Sequence, residues 1–78
     1  MKGLLWFDPG KGSPPADKIG RAAERYNQRF GKWPTVCETH PSMAAHCADV
    51  VTLRNGMTIK IKATRLIRPD NFLVGMEE

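Results

Sequence analysis

The sequence predicts an α+β fold: one amphipathic helix packed on a mostly antiparallel sheet of four to five strands, in the order β-α-β-(short α)-β-β-β. Three observations predict it. Apolar residues recur at helical spacing over only one long stretch, from Ile19 to Phe30. Short runs rich in Val, Ile, Leu, Phe and Thr lie on either side, bounded by Gly, Pro, Asn and Asp. The 78 residues suit a single small domain, 1–78.

The first strand spans Gly3 to Phe7 and stops at the turn Asp8-Pro9-Gly10. Its unbroken run Leu4-Leu5-Trp6-Phe7 predicts a strand covered on both faces. The helix follows from about Pro14 to Phe30, with Ser13 as its cap, Pro14 at the first position and Asp17 in the first turn. Ile19, Ala22, Ala23, Tyr26 and Phe30 form its apolar face. Gly20 costs about 1 kcal/mol against Ala, which close packing on the sheet would excuse. Gly31 terminates the helix and Pro34 keeps it from resuming.

Thr35 to Thr39 reads as the second strand, and Ser42 to Ala48 as a short helical turn after Pro41. Val50–Leu53 and Met57–Thr64 form a hairpin. A two-residue Asn55-Gly56 loop would put Leu53 opposite Thr58 and Val51 opposite Lys60. A three-residue loop, Arg54-Asn55-Gly56, instead pairs Leu53 with Met57 and Val51 with Ile59, and puts Gly56 at the left-handed position such loops need. The second register is expected. It turns Val51, Leu53, Met57, Ile59, Ile61 and Ala63 toward the core, and Thr52, Thr58, Lys60, Lys62 and Thr64 outward. After a connection broken by Pro69, Phe72 to Gly75 forms the last strand.

Composition narrows the function. With 41% apolar and 26% charged residues, the composition argues against wholesale disorder. A net charge of +4 permits nucleic acid or another anionic partner, and is also what keeps a small domain soluble. Two cysteines are fewer than a small secreted disulfide scaffold carries. The apolar run near the N-terminus is too short for a signal-peptide core or a membrane span. The expectation is a cytoplasmic protein with reduced thiols and no membrane partner.

Two residue sets could carry chemistry. Lys18, Arg21, Arg25, Arg29 and Lys32 lie within roughly 80° of one another on a helical wheel, beside the apolar face. With Lys60 and Lys62 they could contact phosphates; the plainer alternative is a solvated face whose long side chains cover the core rim. Cys37, His40, His46 and Cys47 have the donor chemistry of a tetrahedral zinc site. Cys37-x-x-His40 has a suitable spacing. His46 and Cys47 are adjacent, and on a helical turn they point about 100° apart. The alternative is that the cysteines pack as small apolar residues. A cysteine nucleophile would need an orienting group and an oxyanion site, and no residue marks either. Gly10-Lys11-Gly12-Ser13 is not a phosphate loop, because Leu5 stands where its first glycine belongs.

From Ala16 to Met76 the chain resembles part of the tailed-phage major capsid proteins. In those, a helix leads to a strand ending near Asn-Pro, then a short helix and a hairpin. Here Thr39-His40-Pro41 ends the strand, with His in place of Asn. Gly56-Met57-Thr58-Ile59-Lys60-Ile61 resembles the family's Gly-apolar-x-Val pattern, and Phe72-Leu73-Val74-Gly75 its next strand. Residues 1 to 15 have no counterpart, and the family's long helix and extended arms are absent. The resemblance implies a small prophage-type or mobile-element protein with a structural role, and no functional residue carries over.

The leading expectation is therefore a non-enzymatic binding or structural module with a protein partner or self-association, no cofactor and no small-molecule substrate. A weak, sequence-nonspecific nucleic-acid binder is the alternative. A 78-residue domain seldom holds an enzyme's pocket.

Overall fold

The computed structural model describes residues 3–77. Its elements are β1 (Gly3–Phe7), α1 (Pro15–Phe30), β2 (Val36–Thr39), α2 (Pro41–Ala44), β3 (Val50–Thr52), β4 (Thr58–Ala63) and β5 (Asn71–Gly75). The fold is α+β, with the expected order of elements. The strands form one sheet in the spatial order β1-β5-β2-β4-β3. Only the β2–β4 pair is parallel. The last strand is thus an interior one, between β1 and β2, and the first lies at an edge.

The helix packs on one face of this sheet. Ile19, Ala22, Ala23 and Tyr26 of α1 meet Cys37, Ile59, Phe72 and Val74 in the core. Side chains alternate along a strand, so the register fixes both faces. Leu4, Trp6, Phe72, Val74, Cys37, Thr39, Ile59, Ile61 and Val51 belong to the covered one. Thr39 is fully buried there, and its hydroxyl donates to the Asn71 carbonyl at 2.9 Å.

The hairpin has the expected register. Val51 pairs with Ile59, and the Leu53 N–H donates to the Met57 carbonyl at 2.7 Å. Gly56 takes φ 86°, a left-handed value that a side chain would resist. Phase and burial part at the ends: Ile59 is fully buried, whereas Met57 and Ala63 are exposed. Core-side residues at a sheet's rim extend past the helix that covers its middle.

Several details differ from expectation. The helix starts one residue later, with Pro14 as N-cap and Pro15 inside. A proline disfavours helical geometry in the residue before it, so Pro15 holds Pro14 extended at ψ 158°. Ser13 therefore does not cap. Its hydroxyl accepts from Arg21 at 2.9 Å instead. Gly20 does not pack against the sheet: a Cβ added there meets nothing within 4 Å. The short helix is only Pro41–Ala44, capped by His40, whose Nδ1 accepts from the Ser42 N–H at 3.1 Å. Phe30 ends exposed at the close of α1, stacked on Tyr26 with ring centroids 4.6 Å apart.

Most consequential is β1. It was expected to be covered on both faces, yet Leu5 is 58% and Phe7 63% exposed. A single long helix covers only one face of a five-stranded sheet; on the other, Val36 near the centre is buried, while Leu5 and Phe7 at the β1 edge stay exposed.

Candidate interaction surface

The uncovered face can be read row by row from the register. Leu5, Leu73, Glu38 and Lys62 lie side by side on successive strands. Gly3, Gly75, Val36, Lys60 and Val50 form the next row, in which Val36 and Gly75 are buried. The β1–β5 half is apolar, with Leu5, Phe7 and Leu73. The β4 half is cationic, with Lys60 and Lys62. Val50, on β3, is 49% exposed. Leu73 leans over Gly3 and places its Cδ1 3.0 Å from where a Gly3 Cβ would stand.

The outer edge of β1 is open as well. In an antiparallel ladder, residues alternate between bonding one neighbour and facing away from it. The Asp8 N–H donates to the Asp70 carbonyl at 2.9 Å, continuing the β1–β5 pairing by one residue. That bond makes Leu4 and Trp6 the residues that bond to β5. Gly3, Leu5 and Phe7 then direct their N–H and C=O groups outward, where they meet no partner among the described residues.

The loop after β1 is anchored to α1 by a compact polar cluster. Arg21 donates to the Asp8 carboxylate at 3.1 Å and to the Ser13 hydroxyl at 2.9 Å, and the Gly10 N–H reaches Asp8 at 3.3 Å. Desolvation would raise the Asp8 carboxyl. The hydrogen bonds from Arg21 and Gly10, with the nearby Trp6 Nε1–H and the Arg21 charge, outweigh it and hold the carboxyl below its ordinary value. The buried Trp6 Nε1–H steadies that charge without reaching full hydrogen-bond geometry.

The same cluster breaks up the basic stripe. Arg21 is committed to Asp8, and Lys18 is 5% exposed. Arg25 donates to Gln28 at 3.4 Å, and the Arg29 guanidinium lies 5.7 Å from the centre of the Phe30 ring. Arg25, Arg29 and Lys32 thus hold the open part of the stripe. Lys60 and Lys62 belong to the opposite side of the sheet, where the Lys62 Nζ lies 3.8 Å from Glu77. The seven cations do not share one surface, because strand alternation turns the β4 lysines away from α1.

Nor do the four candidate zinc ligands converge. Among the described residues no three His, Cys, Asp or Glu side chains are placed to hold a metal ion. Cys37 is buried in the core, and its thiol is pushed up to about 12 by burial, with Cys47 and Glu38 adding to the effect. Burial also raises the Cys47 thiol. The His40 ring is occupied by the α2 cap and the Ser42 hydroxyl, 2.8 Å away, and His46 is exposed.

A cleft of about 470 Å³ lies between α1 and the β3–β4 hairpin, with Gly20, Trp33, Val51 and Leu53 in its lining and Asp17, Glu24 and Arg54 beside them. The missing Gly20 side chain opens it. The sequence reading singled out neither this cleft nor the Leu5–Phe7–Leu73 face. Counting helices would have exposed the second omission, since one helix cannot cover two faces.

Among the described residues no helix is long and apolar enough to cross a membrane. No known family's sequence model matches the chain, and neither curated proteins nor solved structures supply a match.

Proposed function

We propose that this chain is a non-enzymatic interaction module that acts through the uncovered face of its sheet. The observation that carries this reading is the exposure of Leu5 and Phe7 on an edge strand, beside Leu73. Large apolar side chains grouped at a sheet edge cost solubility, and such groups mark contact surfaces. The neighbouring Glu38, Lys60 and Lys62 supply the polar rim that a contact needs for specificity. The origin implied by the phage-capsid resemblance, a small structural component, belongs to the same reading. A nucleic-acid track is less well supported, since its cations are divided between two sides of the sheet.

A photoreactive residue at position 7 tests the reading in living cells. The expected result is a discrete adduct from position 7 and none from position 28, on the exposed surface of α1. Adducts from position 28 alone, or none at either position, would overturn it.

A further inference from the structure

We infer that β1 pairs with the β1 of a second copy of this chain, antiparallel about a two-fold axis at Leu5, joining two sheets into one of ten strands. The inference rests on the preceding reading of the uncovered face and names its partner.

The hydrogen-bonding groups carry the argument. Gly3, Leu5 and Phe7 present their backbone groups outward, as the Asp8 to Asp70 bond requires. A two-fold axis at Leu5 sets Leu5 against the second copy's Leu5, and Gly3 against its Phe7. All three residues then fall in hydrogen-bonded pairs, and every outward N–H and C=O of the strand finds a partner. Moving the axis to Gly3 or Phe7 leaves part of each strand unpaired.

Charge and shape agree with this register. A two-fold axis brings like residues together, and like charges directly opposite destabilise a strand pair. From Gly3 to Phe7 there is no charge. There is also no Pro, Lys or bulge, the devices by which edge strands resist pairing. Phe7 would rest over the second copy's Gly3, which has no side chain to obstruct it and whose neighbour Leu73 provides an apolar floor. The sheet's other edge is less suited: β3 has three residues, of which only Val50 and Thr52 face outward. One five-residue strand pair is small against the roughly 1,200–2,000 Å² of a stable interface, so the dimer is weak and concentration-dependent.

Sedimentation equilibrium on the full chain, over a roughly hundredfold range of concentration, tests this. The expected mass rises from 8.7 kDa toward twice that value. Leu5→Lys, at an exposed position that leaves the core intact, should stay monomeric with an unchanged circular dichroism spectrum. Val50→Lys, on the far edge, should dimerise as the parent does. A parent that stays monomeric throughout, a dimer that survives Leu5→Lys, or a folded Val50→Lys protein that loses the dimer would each overturn the inference. A monomeric parent that still gives a position-7 adduct with a different protein would sink the second-copy partner and leave the interaction module standing.

Discussion

Leu5 on β1 stands directly across from Leu73 on β5, and both side chains project from the face that α1 leaves bare. Their flanking neighbours, Leu4 and Trp6 on β1 and Phe72 and Val74 on β5, belong to the covered face. One register thus divides two short apolar strands between the core and the face that α1 leaves bare.

This division predicts opposite costs for neighbouring residues. Phe72 is fully buried, so Phe72→Ala should destabilise the fold by about 3–5 kcal/mol. Leu5→Ser and Phe7→Ser in dilute, monomeric protein should stay within about 0.5 kcal/mol of the parent. Urea denaturation measures both. A large loss from Phe7→Ser would place that ring in the core.

The Asp8–Arg21 cluster predicts a small, pH-dependent contribution. The folded-state Asp8 carboxyl is held below its ordinary value of 3.8, so its stabilisation is present above that value and is lost as pH falls through the folded one. Because Arg21 is half exposed, Asp8→Asn should cost no more than about 1 kcal/mol at neutral pH. The difference from the parent should close in acid. A difference that widens toward acid would contradict the sign.

Cys37 predicts the reverse dependence. Its folded-state thiol value lies above the ordinary 9.0, at about 12. Stability from the buried thiol is therefore complete below pH 9 and lost as pH rises through that window. The stability gap between the parent and Cys37→Ala should narrow from about pH 9 upward in urea titrations. A constant gap across the window would show that the thiol is not protected in the folded state.

The hairpin predicts a local backbone effect. Gly56 has φ 86°, and Gly56→Ala should cost about 1 kcal/mol or slightly more, although an added Cβ meets nothing within 4 Å. Arg54→Ala, at an exposed loop position, should be nearly neutral. Thermal unfolding of both variants separates backbone strain from side-chain loss.

Local patterns carried much of the fold. The period of Ile19, Ala22, Ala23 and Tyr26 defines the helix, and matching Val51 with Ile59 decides the hairpin register from the sequence alone. Spatial order is not legible: nothing local says that β5 enters between β1 and β2, so the apolar run Leu4–Phe7 reads as a strand covered on both faces, with its place in the sheet open. The candidate site residues are dispersed for a related reason. Lys18, Arg21 and the β4 lysines look alike in sequence, but one is buried, one serves a loop, and two belong to the far side of the sheet. The Cys37/His40 pair had a suitable spacing, while the strand turned Cys37 into the core and the α2 cap occupied His40.

The central claim is that β1 is an edge strand whose odd-numbered residues face outward. Amide hydrogen exchange in dilute solution, resolved by residue, tests it most directly. Leu4, Trp6 and Asp8 should be protected, while Leu5 and Phe7 exchange rapidly and become slower as concentration rises. Protection of Leu5 and Phe7 in the dilute monomer would contradict the account, because it would mean that their backbone groups are already paired within a single chain.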